Sequence, residues 1–260
     1  MDFSYDDEQQ ALREAVRGLV GKSYADFDNR RRTVADDPGY DEPLWARLAE
    51  MGVLGLPFDE EYGGMGAGPV EVGIVAQELG RVLAPEPFLT SVVLAGGLVA
   101  LAGHQTQKED VLSSVASGNT VLAFAHAEPS SRWSSSATGV AAAGAGEAWT
   151  LTGVKEPVPH GAGADQLVVS AVLPAGETGL FLVAGDAPGL SRVGYPTFDG
   201  GRAARVSFDA TPAVPLGSSV GDASRVIGQA LDQPYANPRP VTPDALRFLL
   251  TAALNGALAP

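Results

Sequence analysis

The sequence predicts an α+β protein in which an all-helical N-terminal domain is followed by an antiparallel β-sandwich or β-barrel domain. As far as about Gly118, apolar residues recur at helical spacing. Beyond Gly118 the pattern changes to short β-branched or aromatic runs separated by glycine, proline and aspartate, which is typical of antiparallel strands. No helical pattern separates these runs, as a βαβ fold would require. We predict domains at 1–118 and 119–232, followed by a short C-terminal region at 233–260 that holds a single helix.

The composition limits the classes of function. The chain has 260 residues, with 31 acidic and 17 basic side chains, giving a formal net charge of −14. This charge opposes a nucleic-acid partner, because neutralising phosphates requires a basic surface. Apolar residues make up 45% of the chain and charged residues 18%, which favours a folded core over disorder. The absence of cysteine excludes disulfides, thiolate metal sites and cysteine nucleophiles.

Three of the N-terminal helices have clear start signals. The acidic residues Asp6–Glu8 stand where the helix dipole favours negative charge, and an apolar stripe follows them. The next helix is predicted to open at Asp41–Pro43 and to end at Gly52. A third opens at Pro69 and is apolar on most sides, so we expect it to be central. Between the first two, the polar run Asp26–Asp37 is interpreted as a solvated face or loop.

The rest of the helical region is more apolar. The run Phe88–Gly103 is too short to span a bilayer and is predicted to be a buried helix, and Gln107–Ser117 is predicted to form one more helix. The acidic N-terminus does not resemble a signal peptide. We therefore expect a cytoplasmic protein with no membrane partner.

Five segments are predicted to be strands, and the C-terminal region differs from them. The strands are Thr120–Ala125, Ala148–Gly153, Gln166–Leu173, Gly179–Val183 and Ala203–Phe208. The segment Gln233–Pro243 contains four prolines and is interpreted as an extended linker. Asp244 then caps an amphipathic helix, Ala245–Leu258. Since a single amphipathic helix cannot bury its own apolar stripe, we expect it to pack against the rest of the chain or against another subunit.

Two features suggest ligand sites but favour simpler interpretations. The glycine cluster Gly63–Gly68 resembles a dinucleotide fingerprint, yet helical patterns flank it on both sides, so a tight turn is predicted instead. The histidines His104, His126 and His160 are too scattered to indicate a metal site. No metal is expected.

Four blocks of the sequence resemble the acyl-CoA dehydrogenase family of flavoproteins. The most specific block runs from Leu44 to Pro57 and continues from Glu60 to Gly66. The N-terminal block is Phe3–Arg13, and the central block is Glu78–Arg81 with Pro85 and Pro87. The block around the predicted strands comprises Leu122–Pro129, Leu151–Lys155, Ala164 and Asp165. Together the blocks extend from residue 3 to about residue 232.

The resemblance implies an activity that the composition and periodicity alone do not. In this family FAD lies between the β-domain and a C-terminal helical bundle. The flavin accepts a hydride from the β-carbon of an acyl-CoA thioester after a glutamate has removed an α-proton. The electrons pass to an electron-transfer flavoprotein. The resemblance therefore implies an oxidoreductase of lipid β-oxidation that uses FAD and an acyl-CoA substrate.

The resemblance also indicates which residues contact the flavin, and where this sequence departs from the pattern. The implied cofactor-binding residues are Phe124, Ala125, His126, Ala127, Trp133, Val158 and Pro159. Ala127 replaces a threonine or serine, and Trp133 aligns with a serine. Pro157 and Pro159 stand where the family has tryptophan and threonine, and proline lacks a backbone N–H. The family's catalytic glutamate belongs to the C-terminal bundle, so the catalytic residue here is unknown.

These departures leave several functions open. The chain is interpreted first as a dehydrogenase subunit in a homo- or hetero-oligomer with a full-length homologue that supplies the base; the unequal subunits of dehydrogenases in actinobacterial steroid side-chain degradation are the family precedent. The alternatives are a catalytically inactive truncated remnant and a non-enzymatic acyl-CoA-binding or scaffold subunit. For Lys155 and His126, both a functional role and a structural role remain open.

Overall fold

A computed structural model of the chain describes residues 5–129, 131, 134–217, 223, 226 and 227. Within this part of the chain every helix precedes every strand except for helical residues after residue 217, which agrees with the predicted fold class. The longer helices are α1 (Asp7–Ser23), α2 (Phe27–Thr33), α3 (Glu42–Glu50), α4 (Pro69–Arg81), a π-helix (Phe88–Gly96), α5 (Gly97–Ala102) and α6 (Gln105–Ala116). Two single-turn 3-10 helices, Val53–Gly55 and Glu60–Tyr62, lie between α3 and α4. The predicted helix Ala245–Leu258 lies outside the described residues.

The helices begin at the residues that sequence signals indicate. Asp6 caps α1, and its side chain and that of Gln9 form a reciprocal capping box. The carboxylate of Asp41 accepts from the backbone N–H of Leu44 at the start of α3. Helix α4 begins at Pro69, where the missing N–H costs nothing.

The apolar run Phe88–Gly103 is helical without a break as far as Ala102, as predicted, but the form of the helix changes along it. Its first part is a π-helix, a rare form, and α5 continues it. Within the π-helix, the hydroxyl of Ser91 accepts from the backbone N–H of Leu122, which ties this helix to the first strand. The described part of the chain contains no helix that is long and apolar enough to cross a membrane.

The interpretation of Asp26–Asp37 as a solvated segment is wrong at one residue. The segment contains α2, in which Arg30 is only 7% exposed although Arg31 and Arg32 are exposed. The guanidinium of Arg30 donates to the carbonyl oxygens of Leu83 and Gly200. Arg30 therefore connects α2 to the end of α4 and to the sheet, a long-range role that a local charge pattern does not reveal.

In the part of the chain that is described, seven strands follow the helices named above. They are β1 (Leu122–Ala125), β2 (Ala141–Ala145), β3 (Ala148–Pro159), β4 (Gln166–Val172), β5 (Thr178–Ala184), β6 (Leu190–Pro196) and β7 (Arg202–Pro215). The pairings β4–β2, β2–β3, β3–β7, β7–β5 and β5–β4 close a ring of five strands, and β6 pairs with β7. Most pairs are antiparallel, but β1 and β2 both run parallel to β4. The structure thus has the predicted β-barrel character with two parallel contacts.

Strand β1 lies between two apolar cores. Leu122 and Phe124 pack into the core formed mainly by the helices. Ala123 and Ala125 pack into the core enclosed by the sheet. This follows from the alternation of side chains along a strand. The end of β1 is therefore held from both sides, and the candidate site lies there.

Candidate functional site

The last residues of β1 turn their side chains into the protein. Ala125 is fully buried and Phe124 is 6% exposed. The ring of Phe124 stacks on the ring of His126, with centroids 5.1 Å apart and planes 6° apart. These side chains consequently fix the course of the backbone from Phe124 to Ala127.

His126 is held at both ring nitrogens. Its Nε2 lies 2.6 Å from the carbonyl oxygen of Ser134, and its Nδ1 lies 2.8 Å from Oγ of Ser170. A carbonyl oxygen only accepts, so Nε2 donates, and in the neutral ring Nδ1 accepts from the serine hydroxyl. Burial lowers the pKa of His126, which favours this neutral form. The ring therefore serves to position its own segment.

Glu128 occupies a cradle of donors immediately after this segment. Its carboxylate accepts from the backbone N–H groups of Thr138, Gly139 and Val140 and from the hydroxyl of Thr138 at 2.6 Å. The fifth donor is Nζ of Lys155, 2.6 Å away. Burial alone would raise the pKa of Glu128, but the hydrogen bonds from Lys155 and Thr138 hold it at about 2. Glu128 is therefore ionised.

Lys155 completes a buried polar network. It is fully buried, and its Nζ donates to the carbonyl oxygen of His126 at 3.1 Å, to Glu128 and to Oγ of Ser170 at 3.0 Å. These three acceptors match the three protons of an ammonium group. Burial lowers the pKa of Lys155 to about 8, against the opposite effect of Glu128. Lys155 is thus an internal anchor for the end of β1 rather than a solvated residue at a strand end.

The second wall of the candidate site is the end of β3. The backbone N–H of Glu156 donates to the carbonyl oxygen of Ala127 at 2.8 Å, so β3 lies directly beside the end of β1. Val158 is fully buried, whereas Pro159 is exposed and Ala127 is half-buried. On these two walls, Ala127 and Pro159 are the predicted flavin contacts that remain partly or fully exposed to solvent.

The structure places six of the seven predicted flavin contacts on these two adjoining walls. The side chains of Phe124, Ala125, His126 and Val158 point away from solvent, so only their backbone is available for a ligand there. Trp133 lies outside the described residues. The assignment of these residues to a flavin stays a prediction.

Sequence reasoning did not identify Ser170, Thr138 or the role of Glu128. Glu128 belongs to one of the family-like blocks, but its partners lie on segments that only the folded sheet brings together. The available signal was a glutamate and a lysine, each a few residues beyond the end of a predicted strand, and that signal does not distinguish a buried pair from an exposed one.

The histidines do not meet in the fold. His104 caps α6, with its Nδ1 accepting from the backbone N–H of Gln107. His160 follows β3, with its Nε2 donating to the carbonyl oxygen of Pro85 and its Nδ1 2.9 Å from Oγ1 of Thr90. Among the described residues no group of three or more His, Cys, Asp or Glu side chains could hold a metal ion.

Comparisons with known proteins identify the class of protein. Residues 6–119 match the family model for the acyl-CoA dehydrogenase N-terminal domain. The acyl-CoA dehydrogenase FadE12 of Mycobacterium tuberculosis is 33% identical over 206 residues, which cover 73% of this chain and 50% of that protein. The acyl-CoA dehydrogenase IpdE2 of the same organism is 40% identical over 119 residues, covering 45% of this chain and 36% of that protein.

Solved structures agree in fold. A variant of the "Tcur3481-Tcur3483 steroid ACAD" superposes with a TM-score of 0.77 at 34% identity, covering 87% of this chain and 60% of that one. The ChsE4-ChsE5 complex from Mycobacterium tuberculosis gives a TM-score of 0.76 at 29% identity, covering 88% and 62%. The chain belongs to the acyl-CoA dehydrogenase family. It spans about half the length of FadE12, so the activity of the whole relative is not transferred directly.

Proposed function

We propose that this chain provides one side of an FAD site in an acyl-CoA dehydrogenase, and that a longer partner subunit provides the catalytic base. The observation that carries the proposal is the fixed junction between the end of β1 and the end of β3, where the residues that the family resemblance assigns to the flavin adjoin each other. The hydrogen bond between Glu156 and Ala127 and the buried network of Lys155 hold that junction in place.

The exposed residues at this junction fit the face of a flat ring. Ala127 and Pro159 offer apolar surface without a charged side chain, and burying apolar surface favours binding. Neither side chain donates a hydrogen bond, and Pro159 has no N–H. This chain would therefore hold a flavin by shape and by backbone contacts near Ala127, and it would hold it less tightly than a relative with hydroxyl side chains at these positions.

The buried network gives the junction its rigidity. Lys155 fixes the carbonyl oxygen of His126, and Glu128 fixes the segment from Thr138 to Val140. Because both charged groups are enclosed by protein, neither is available to remove a proton from a substrate. When FAD is bound, it supplies the capacity to accept a hydride from the β-carbon of an acyl thioester.

The partner requirement rests on the absence of a candidate base at the junction among the described residues. His126 and Glu128 are turned inward and satisfied. The carboxylate of Glu156, whose backbone N–H bonds Ala127, pairs with Arg205. The imidazole of His160, next to Pro159, contacts the carbonyl oxygen of Pro85 and the hydroxyl of Thr90, so in the described part of the chain both of these side chains are already engaged. Two similar structures are described by paired names, Tcur3481-Tcur3483 and ChsE4-ChsE5, which supports an assembly of unlike subunits. An acyl-CoA substrate and an electron-transfer flavoprotein complete the proposed reaction.

The test compares flavin binding by the chain alone and with a full-length relative. FAD is titrated into each sample and followed by its visible absorbance and by the quenching of its fluorescence. We expect the chain alone to bind FAD weakly. After co-expression with FadE12, we expect the complex to contain one flavin site more than FadE12 alone. Failure to form a complex, or a complex whose flavin content equals that of the partner alone, would contradict the proposal and favour a remnant or a non-enzymatic subunit.

Substitutions at the junction locate the site. The double variant Ala127→Thr with Pro159→Thr restores two hydroxyl groups and one N–H, so we expect it to bind FAD more tightly. The matched control is Pro212→Thr, which changes an exposed proline on β7 and should leave FAD binding unchanged. Equal effects of the two changes would place the flavin elsewhere.

A further inference from the structure

An apolar groove of about 450 Å³ lies on the surface of the helical domain, between the start of α4 and the continuous helix from Phe88 to Ala102. None of the described residues that line it carries a charge. The lining residues that reach solvent include Pro69, Val72, Val93, Gly97, Ala100 and Leu101. The groove is therefore a continuous apolar surface that is open to water.

One side of the continuous helix presents an exposed apolar row along this groove. Leu89, Val93, Gly97 and Leu101 recur at every fourth position, which keeps them on the same side of the helix. Leu89 is 56% exposed, Val93 36% and Leu101 52%. A Cβ on Gly97 would meet no described atom within 4 Å, so the middle of the row is open to a close neighbour. A contiguous apolar surface of this kind is typical of a site that another segment covers.

After β7 the chain returns to the end of this helix. The backbone N–H of Gly217 donates to Oε1 of Gln107 on α6 at 2.8 Å. A Cβ on Gly217 would clash with the carbonyl oxygen of Ala102, the residue that follows Leu101. The chain therefore leaves the sheet beside one end of the groove.

The length of chain beyond that point is sufficient to bring a later segment back to the groove. Ala223 and Ile227 are buried in the core that the helices mainly form. Residues 228–244 then separate Ile227 from the predicted helix Ala245–Leu258. At about 3 Å per residue, as in proline-rich chains, they span on the order of 50 Å. That reach exceeds the radius of gyration of about 18 Å that is expected for a compact chain of this length.

We propose that the predicted amphipathic helix Ala245–Leu258 docks into the apolar groove of its own chain. Arg247 is the one charged residue in this segment, so the segment suits a groove without charges. Its apolar stripe comprises Leu246, Leu249, Leu250, Ala253, Leu254 and Leu258. Docking removes both this stripe and the exposed row of the groove from water, which favours the docked state.

The tether favours this segment over the same segment of a second copy. A flexible linker of this kind gives the attached segment an effective concentration of about millimolar at the groove. A second copy would have to compete from solution, where its concentration is far lower. The groove is therefore filled within one chain. The proposal concerns the helical domain and is independent of whether the chain holds FAD.

The test forms a disulfide in the full chain, which contains no cysteine of its own. Leu101→Cys is combined in turn with Leu250→Cys, Leu254→Cys or Leu258→Cys, because the stripe can lie on the groove in more than one register. A disulfide requires two Cα atoms within about 7 Å of each other. Mild oxidation is followed by non-reducing electrophoresis and mass spectrometry, which separate a disulfide within one chain from a disulfide between two chains.

Two matched pairs measure the background of an undocked tail. Phe198→Cys with Leu254→Cys places one thiol on the exposed turn between β6 and β7, away from the groove. Leu101→Cys with Asn255→Cys places one thiol opposite the apolar stripe. We expect the fastest groove pair to form its disulfide within one chain at least about tenfold faster than either control pair.

Gly97→Phe tests the location in the fastest pair. A phenyl group at Gly97 enters open space in the groove, so it should leave the fold intact and slow the disulfide at least about tenfold. The matched control is Gly73→Phe, at a helical glycine whose Cβ also meets no described atom within 4 Å but which does not line the groove. This control should leave the rate unchanged.

Three results would overturn the proposal. The first is that all pairs, including the Phe198→Cys pair, react at equal rates, which would describe a tail without a docking site. The second is that disulfides form mainly between chains, which would assign the groove to a second copy. The third is that Gly97→Phe slows the reaction no more than Gly73→Phe in chains whose circular dichroism shows them to be folded.

Discussion

Glu78, near the end of α4, and Glu86, in the loop that follows α4, are both buried glutamates, yet their environments are opposite. Glu78 on α4 accepts from Arg13, Arg17 and Arg81 at 2.8 to 3.1 Å. The hydrogen bonds from Arg17 are the main reason that its pKa is lowered to about 2. Among the described residues Glu86 has no cationic hydrogen-bond partner, and burial raises its pKa to about 7. Burial alone therefore does not determine the charge of a carboxyl group in this protein; its partners do.

Glu128 extends the comparison. Its pKa is also about 2, but its cation, Lys155, is fully buried, whereas the three arginines of Glu78 reach solvent. Removing the negative charge of Glu78 leaves cations that water can solvate. Removing that of Glu128 leaves a cation that water cannot reach. The solvation of the partner should therefore set the energetic cost of each substitution.

The largest effect is expected for Glu128→Gln. The amide keeps the shape of the side chain but leaves the buried ammonium of Lys155 without a counter-charge. We expect the free energy of unfolding to fall by about 3 to 5 kcal/mol. Urea denaturation followed by circular dichroism measures this change.

The double variant Glu128→Gln with Lys155→Met is the control. It removes both charges, so we expect it to be more stable than Glu128→Gln alone. A double variant that is less stable than the single one would mean that the packing of Lys155, rather than its charge, dominates this site.

The second prediction concerns the pH dependence of Glu86. A carboxyl group with a raised pKa contributes stability below its unfolded pKa, about 4.5, and loses that contribution as the pH rises through about 7. We expect the wild type to lose up to about 3 kcal/mol relative to Glu86→Gln over this interval. Paired urea denaturation curves at several pH values provide the difference. Because Glu78 and Glu128 titrate near pH 2, they do not change charge in this window.

A constant difference between wild type and Glu86→Gln across that window would contradict a raised pKa at Glu86. A difference that changes in the opposite direction would mean that Glu86 has a cationic partner in solution. Either result would remove the contrast with Glu78.

Glu78→Gln should have a smaller effect. Arg13, Arg17 and Arg81 lose a shared acceptor but are between 29% and 46% exposed, so water compensates in part. We expect a loss of about 2 kcal/mol, in the range of hydrogen bonds to charged groups. The same denaturation experiment measures it at neutral pH. A loss equal to that of Glu128→Gln would show that solvent access to the partner does not matter here.

How much of the fold could be predicted depends on whether the signal lies in adjacent residues or in residues that only the folded chain brings together. The signals for the helix starts at Asp6, Asp41 and Pro69 lie in adjacent residues, and the structure confirms these starts. Strand β2, by contrast, is rich in alanine and glycine, and its sequence carries no strand signal. It forms because β3 and β4 present partners to it.

From the sequence, the candidate site could be assigned to segments of the chain, but the directions of its side chains could not be predicted. Family-like residues indicated the ends of β1 and β3, and the structure brings these ends together. The inward direction of His126 and the burial of Lys155 depend on Ser134, Glu128 and Ser170, which folding brings to them. Likewise, Arg30 looked like one of three equivalent surface arginines until the fold placed Leu83 and Gly200 within its reach.

The smallest predicted effect separates the influence of burial on the pKa of Glu86 from that of the hydrogen bond from Tyr24. Tyr24→Phe removes the hydroxyl that donates to Oε1 and leaves the N–H of Asp41 in place. We expect a loss of about 1 kcal/mol near neutral pH, the usual net value of one hydrogen bond. Since the Tyr24 hydrogen bond lowers the pKa of Glu86 against the effect of burial, its removal should raise that pKa further. The pH above which the difference between wild-type and Glu86→Gln stabilities levels off should therefore move upward when both chains carry Tyr24→Phe, and a downward movement would mean that Tyr24 favours the protonated form.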